Sequence, residues 1–312
     1  MDLRKQPRRS IFITPCTNFE MMKRGLDSDA DAVVFDLEDS VPDTGKAEAR
    51  RRAIEMAPNR KPTQALGLRI NDWTSPWCYR DLIDVLGTAG EHIDYIVLPK
   101  AESAEQVAAV GWILQQIERE ASTNHQILVE PCIESATGLL DARSLLAAST
   151  RVFSVGYSAT GFDLAADLHF DDRVPAAFRD TTALLPLLAA RALGLALIDG
   201  PHPPLHDAEG LRALATDRFA MGFDGKWAIH PAQVEILNEA FTPTQSALRR
   251  AVSTLESYDE AAQRGRGAAV VDGSMVDIAS LRVAQRTLAS APAKTTPQAQ
   301  QSGASMRDTG GR

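Results

Sequence analysis

Short aliphatic runs alternate with longer amphipathic stretches over the first 240 residues of the chain. Runs rich in β-branched residues predict strands, and apolar positions with helical spacing predict the helices between them. The predicted strands cover residues 11–14, 32–37, 65–71, 95–98, 127–129, 152–155, 195–198 and 227–229, and the main predicted helices cover 19–26, 45–56, 104–120, 138–148, 182–193 and 208–220. This rhythm is typical of a (β/α)8 TIM barrel, and a doubly wound open sheet is the alternative.

Residues able to do chemistry follow almost every predicted strand. In chain order they are Asp36, Glu38, Asp39, Arg69, Asn71, Lys100, Glu102, Glu134, Asp163 and His230. In a barrel such residues converge on one rim, whereas in an open sheet they would be strung along an edge. We therefore expect a functional site at the carboxyl ends of the strands.

Two of these strands deliver carboxylates that suit a metal ion. The stretch that organises the chain reads ILVEPCIESATG, in which the predicted strand ends in a polar elbow with Glu130 and Glu134, and the following strand leads to Asp163. Carboxylate oxygens are hard ligands, so the pattern indicates a divalent cation, with Mg²⁺ as the first choice. The alternative is that Glu134 and Asp163 cap helices and face solvent.

Beyond residue 240 the pattern changes. Phe241, Thr242 and Pro243 break the chain, residues 244–263 predict one long helix, and an Asp272-Gly273 turn predicts a hairpin before a last helix over 279–288. We expect a catalytic domain over 1–240, a C-terminal extension over 241–290, and a disordered tail over 291–312, which is rich in Ala, Gln, Thr, Ser and Gly.

Composition narrows the class of protein. With 44% hydrophobic and 24% charged residues, the 312-residue chain is typical of a soluble globular protein. A formal charge of −8 argues against a nucleic-acid surface, and no GxGxxG or P-loop pattern occurs between a strand and a helix. Three widely separated cysteines and the absence of a long apolar run favour a cytoplasmic protein with no membrane span.

Eight segments stand out in chain order: RRSIFITPC, DAVVFDLEDSVPDTGKAEAR, LRIN, IDYIVLPKAES, IESATGLLDA, FDLAADL, GKWAIHPAQVEILNEAFTP and GRGAAVVDGSMVDIASLRVAQRTL. Together they resemble the successive motifs of the HpcH/HpaI aldolase and citrate lyase superfamily. The resemblance is greatest to citrate lyase beta subunits and to malyl-CoA or citramalyl-CoA lyases. It implies a TIM barrel with a C-terminal extension, a homotrimer or hexamer, and Mg²⁺-dependent cleavage of a 3-hydroxyacyl thioester.

The resemblance also implies roles for individual residues. Glu134 and Asp163 match the metal ligands, Glu134 also contacting substrate, and Arg69 matches the arginine that binds the substrate carboxylate and the thioester enolate. Glu38 and Asp39 match acidic residues around the metal's waters. Asp277 matches an aspartate that a neighbouring subunit's lid supplies as acid or base. Lys100 and His230 lie in family motifs, and we assign neither a catalytic role.

The sequence departs from the family pattern at two places. Gly156 and Asp163 are separated by YSATGF, so that Gly161 is an alternative anchor and Asp167 a competing ligand. The first strand ends in Thr14-Pro15-Cys16, where the family has a glycine after the proline. A glycine there would allow close backbone approach to a ligand, so the contacts on the thioester side are in question.

These observations predict a Mg²⁺-dependent carbon–carbon lyase that cleaves a short 3-hydroxyacyl-CoA thioester, such as malyl-CoA, citramalyl-CoA or citryl-CoA, into acetyl-CoA or an analogue and a 2-oxo acid. Three alternatives remain: a malyl-CoA-type thioesterase, a citrate lyase beta subunit whose thioester is attached to a carrier protein, and a non-catalytic binding module on the same fold.

Overall fold

The computed structural model describes residues 2–157, 162–170 and 173–291. Within these residues eight parallel strands close into a barrel in chain order, which confirms the TIM barrel and rules out the open sheet. Strand β1 pairs with both β2 and β8. The strands are Ser10–Pro15 (β1), Ala32–Asp36 (β2), Ala65–Arg69 (β3), Tyr95–Leu98 (β4), Leu128–Ile133 (β5), Ser154–Tyr157 (β6), Ala196–Asp199 (β7) and Gly225–Ala228 (β8).

Helices connect the strands. They are Phe19–Asp27 (α1), Lys46–Met56 (α2), Cys78–Arg80 (α3), Gly87–Ala89 (α4), Ala104–Glu120 (α5), Ala136–Leu140 (α6), Ala142–Ala147 (α7), Phe162–Asp167 (α8), Ala176–Thr182 (α9), Leu184–Ala192 (α10), Ala208–Met221 (α11) and Pro231–Ala240 (α12), with 3₁₀ turns Asp43–Gly45, Ala57–Asn59 and Gly90–His92 and a π-helix Asp81–Leu86. Helix α5 has its predicted bounds because a capping box of Ser103 and Gln106 fixes its start. The single helix predicted over 138–148 is wrong. The structure has two short helices, α6 and α7, because the backbone leaves helical geometry at Asp141.

The fifth strand continues past its predicted end at Val129. All six residues of β5 are buried, so Glu130 lies within the barrel rather than on a polar elbow. Its Oε2 atom lies 2.6 Å from Arg8 Nη2, and the guanidinium of Arg8 stacks 4.3 Å from the centroid of the Phe153 ring. The prediction failed because the cation that makes a buried glutamate tolerable is supplied from 122 residues away in the chain.

The described residues divide into two compact units between Phe241 and Thr242. The second unit contains helix α13 (Gln245–Gln263), a hairpin of β9 (Ala269–Val271) and β10 (Ser274–Val276), and helix α14 (Ile278–Ala289). The predicted hairpin is confirmed, since β9 and β10 pair antiparallel across the Asp272-Gly273 turn, in which both residues have positive φ. Separate roles for the two units as catalytic domain and lid stay a prediction, and the predicted tail beyond Ala291 lies outside the described residues.

In the described part of the chain, none of the helices combines the length and the hydrophobicity that crossing a bilayer requires.

Close backbone contact at the start of β8 leads to the first prediction. A Cβ atom at Gly225 would lie 1.8 Å from the carbonyl oxygen of Arg8, so Gly225→Ala should lower the free energy of unfolding by about 2 to 4 kcal/mol. Gly87→Ala is the matched control, because that position is helical and has open space around it. The control should be neutral or stabilising by up to about 1 kcal/mol. Equal urea midpoints for the two variants would contradict this packing.

Candidate active site

Asp36, the last residue of β2, is the first acidic residue of the site along the chain, and the alternation of side chains along the strand determines its direction. Alternate residues of β2 belong to different hydrophobic clusters, with Ala32 and Val34 in one and Val33 and Phe35 in the other. The cluster of Ala32 and Val34 also contains inward-facing residues of other strands, so it fills the barrel interior. Because side chains alternate along a strand, Asp36 points to the same interior at the carboxyl end of the barrel.

Asp36 forms a bidentate ion pair with Arg69. Arg69 Nε and Nη2 donate to the two carboxylate oxygens of Asp36 at 2.7 and 2.8 Å, and Ser40 also donates to Asp36 through its hydroxyl. Burial alone would raise the pKa of Asp36, but the charge and hydrogen bonds of Arg69 lower it below its usual value. The guanidinium carbon lies 5.7 Å from the centroid of the Trp227 ring. The planar cation is therefore fixed in orientation from two directions.

Glu38 and Asp39 follow β2 and face the remaining nitrogen of the same arginine. Arg69 Nη1 lies 2.9 Å from Glu38 Oε2 and 3.5 Å from Asp39 Oδ2. The backbone at Leu37 and Glu38 is held by the buried Lys46, whose Nζ donates at 2.9 Å to both carbonyl oxygens. Glu38 is almost fully buried, whereas half of the Asp39 side chain is exposed.

Lys100, two residues after the end of β4, contacts four acidic residues. Its Nζ lies 2.8 Å from Glu38 Oε1, 3.5 Å from Asp39 Oδ1 and 3.6 Å from Asp163 Oδ1. Its backbone N–H donates to Glu134 Oε2 at 3.0 Å. The structure thus places all four of the predicted acidic residues of the barrel around one lysine.

Helix capping does not explain the position of Glu134. Helix α6 is capped by Ser135, which accepts from the N–H of Gly138, and not by Glu134. For Glu134 the capping alternative is therefore wrong, and for Asp163 it stays open. Asp39 is not a cap either, because the turn Asp43–Gly45 that follows it has no side-chain cap.

Asp163 and Asp167 lie in different surroundings on α8. Asp163 faces Lys100, whereas Asp167 Oδ2 accepts at 2.6 Å from the backbone N–H of Ala136 at the start of α6. Asp167 therefore has a structural partner, and Asp163 is the residue that the acidic cluster includes. The alternative anchor Gly161 lies outside the described residues.

Burial and like charges shift the acidity of this cluster. Burial raises the pKa of Glu38 to about 8, with Arg69 and Lys100 opposing the rise and Asp39 and Glu134 adding to it. Burial also raises the pKa of Glu134, against the charge of Arg69 and the N–H of Lys100. Although burial would lower the pKa of Lys100, its hydrogen bond to Glu38 and the nearby negative charges raise it above the usual value.

The residues present fit a divalent cation. Glu134 and Asp163 supply hard oxygen donors at the open end of the barrel, and the ammonium of Lys100 already lies where positive charge is favoured. Mg²⁺ in proteins commonly uses one or two carboxylates and completes its shell with water and substrate oxygens. Among the described His, Cys, Asp and Glu residues, no group of three or more is placed to hold a metal ion.

Asp277 lies in the second unit as the N-cap of α14. Its Oδ1 accepts from the backbone N–H groups of Ala279 and Ser280 at 2.9 and 3.0 Å. These bonds, that of Ser280 first, lower the pKa of Asp277 below its usual value despite the effect of burial. A capping role is therefore present, and a catalytic role for Asp277 stays a prediction. His230 likewise caps a helix, with Nδ1 accepting from the N–H of Ala232.

Comparison with known proteins identifies the family. The family model described as HpcH/HpaI aldolase/citrate lyase matches residues 9–231, which include the whole barrel. The chain belongs to the HpcH/HpaI aldolase/citrate lyase family. This confirms the resemblance drawn from the motifs and the prediction that the chain belongs to an enzyme family of carbon–carbon lyases.

Two curated relatives of similar identity have different activities, and one solved structure contains ligands. The chain is 33% identical to an L-malyl-CoA/beta-methylmalyl-CoA lyase of Rhodobacter capsulatus over 309 residues, covering 91% of this chain and 96% of the relative. It is 35% identical to a (3S)-malyl-CoA thioesterase of Cereibacter sphaeroides, covering 92% and 95%. The structure of Mycobacterium tuberculosis CitE in complex with magnesium, acetoacetate and coenzyme A has a TM-score of 0.71 at 28% identity, covering 93% and 99%.

Reasoning from the sequence missed three residues of this site. Asp36 was noted only as following β2, although it holds Arg69, and Lys100 and Lys46 were given no role. Lys100 follows its strand as closely as the carboxylates follow theirs, which is a signal that the sequence did contain. Its position among the carboxylates depends on a left-handed backbone with φ of 48°, which the sequence does not reveal.

Glu38 leads to a prediction on pH dependence. Its pKa in the folded protein, about 8, exceeds the ordinary 4.5, so the folded state holds this proton more tightly than the unfolded chain. The resulting stabilisation is complete below about pH 4.5, decreases as the pH rises from there, and is lost once the pH has passed through about 8. In EDTA, the free energy of unfolding of the natural protein should therefore fall more steeply between about pH 5 and pH 8 than that of Glu38→Gln. Parallel profiles, or the same change in the control Glu102→Gln, would contradict the shift.

Proposed function

We propose that the protein is a Mg²⁺-dependent lyase that cleaves a short 3-hydroxyacyl-CoA thioester with a terminal carboxylate into an acyl-CoA and a 2-oxo acid. The observation that carries the proposal is the set of Glu38, Asp39, Glu134 and Asp163 around Lys100, beside an oriented Arg69, at the carboxyl end of the barrel. Malyl-CoA, citramalyl-CoA and citryl-CoA have this chemistry. The names of the relatives support the malyl-CoA type.

The bound ion would supply Lewis-acid polarisation of the substrate's hydroxyl and carboxylate oxygens, held by Glu134 and Asp163. Asp36 occupies Nε and Nη2 of Arg69, so a substrate carboxylate would reach the arginine through Nη1, where it would take the place of Glu38 at 2.9 Å. Glu38, with a pKa near neutrality, is suited to accept the hydroxyl proton. The bond between carbons 2 and 3 then breaks, and its electrons form the thioester enolate. The protonated carboxyl of Asp277 donates its proton to carbon 2, which leaves Asp277 ionised and Glu38 protonated.

Assembly is part of the proposal because Asp277 lies in the second unit. We propose a homotrimer or hexamer in which this unit covers the barrel of a neighbouring subunit. Four exposed apolar side chains of the second unit support a docking role, since each is more than half exposed. They are Val270, Met275, Ile278 and Val283.

The proposal is tested by incubating the purified protein with Mg²⁺ and each of malyl-CoA, citramalyl-CoA and citryl-CoA, with mass-resolved products. Acetyl-CoA together with a 2-oxo acid is expected, and chelation by EDTA should abolish it because the carboxylates alone cannot polarise the substrate. Glu134→Gln should lower kcat/KM by at least about 100-fold. Turnover that is unaffected by EDTA would contradict the proposal.

A thioesterase is the second candidate, because the chain is as similar to a (3S)-malyl-CoA thioesterase as to the lyases. The same assay separates the two activities. Free CoA with an intact hydroxy acid would identify the thioesterase, and cleavage of a carrier-bound thioester alone would identify a citrate lyase beta subunit. A lack of turnover with every substrate would support a binding module.

Two variants of Asp277 separate its capping role from its proposed chemistry. Asn is as good an N-cap as Asp, so Asp277→Asn should retain the melting temperature but lose at least about tenfold in kcat. Asp277→Ala removes the cap as well and should also lower the stability of the second unit by about 1 kcal/mol. Full activity of Asp277→Asn would show that the residue is only a cap.

A further inference from the structure

Lys100 joins parts of the site that belong to different strands. Its ammonium contacts the carboxylates of Glu38, Asp39 and Asp163, and its backbone N–H holds Glu134. The residue adopts a left-handed conformation, with φ of 48°, which is unfavourable for a side chain other than glycine. Local backbone preference therefore does not explain its position, and the contacts with the acidic residues do.

Acidic side chains outnumber the cations around Lys100. Five carboxyl groups, those of Asp36, Glu38, Asp39, Glu134 and Asp163, lie beside two cations, Arg69 and Lys100. Arg69 is bound through two of its nitrogens to Asp36. The ammonium of Lys100 is thus the cation that contacts both Asp163 and the Glu38–Asp39 pair.

We propose that Lys100 is a tethered counter-cation of the metal centre, which shares the carboxylates of Glu38, Asp39 and Asp163 with the divalent ion and competes with it. This inference rests on the proposed function, because it assumes that Asp163 is a metal ligand. Lys100 is a positioning residue in this scheme. It holds the carboxylates together without metal and weakens metal binding, since two cations at one site repel each other.

A purely structural lysine would have the opposite effect on metal binding. If its hydrogen bonds only aligned the ligands, their loss would disorder the carboxylates and weaken metal affinity. If it is a counter-cation, its removal leaves one more negative charge for the metal and strengthens affinity. The sign of the change in metal affinity therefore decides between the two roles.

The experiment measures Mn²⁺ binding to the full-length protein by the electron paramagnetic resonance signal of free Mn²⁺, without substrate. Lys100→Met should bind Mn²⁺ about tenfold more tightly than the natural protein. Lys100→Arg keeps the charge, so its affinity for Mn²⁺ should stay within about threefold of that of the natural protein. In EDTA the melting temperature of Lys100→Met should be lower, and saturating Mn²⁺ should restore it. Lys100→Gln, which keeps a polar side chain, replaces Lys100→Met if the latter does not fold.

Equal or weaker Mn²⁺ binding by Lys100→Met or Lys100→Gln would overturn the proposal and leave Lys100 as a structural residue. Asp163→Asn distinguishes this result from a failure of the proposed function. If the natural protein binds Mn²⁺ and Asp163→Asn does not, the metal site stands and only the role of Lys100 is lost. If Asp163→Asn binds as well as the natural protein, or neither binds, the metal site and the role of Lys100 are both overturned.

Discussion

Repulsion between carboxylates at the mouth of the barrel is the constraint on which the site depends. Parallel strands bring Asp36, Glu38 and Glu134 to one end, and the barrel closes them into a small area. Two cations make this arrangement tolerable, but in different ways. Arg69 is fixed by a bidentate pair, whereas Lys100 makes one short and two longer contacts and is partly exposed. Arg69 is therefore fixed in orientation, whereas the side chain of Lys100 is less constrained.

A cation also neutralises a carboxylate deeper in the barrel, where the pair is buried. Glu130 is fully buried and is paired with Arg8, whose guanidinium stacks on aromatic rings. A charge pair removed from water to this degree contributes little net stability, but loss of either partner would leave an uncompensated charge. The pair thus specifies how the segment before β1 enters the barrel. The contacts of Lys100 differ in exposure, because about a third of its side chain is accessible to solvent whereas the Arg8–Glu130 pair is almost fully buried.

The sequence predicted the barrel because its evidence is local and repeated: aliphatic runs, helical spacing, and reactive residues after each strand. It also predicted the four acidic residues that the structure brings together, since strand ends of a barrel share one rim. It could not predict partners supplied from a distance, such as Arg8 for Glu130 or Asp36 for Arg69. Long-range pairing decides which charged residues are buried, and neither periodicity nor propensity encodes it.

The acidity of Asp277 bears on the direction of the proposed reaction. As the cap of α14 it accepts two backbone hydrogen bonds that favour its ionised form, which makes it a proton acceptor rather than a donor. An acceptor suits condensation, in which a proton leaves the carbon next to the thioester. Cleavage requires the reverse transfer, so the carboxyl would have to gain a proton. In the proposed assembly, burial of the second unit against a neighbouring barrel would favour this, because burial raises the pKa of a carboxyl. Closure of the lid would then set both the access of water and the protonation state of its acid, which are the two factors that separate cleavage from thioester hydrolysis.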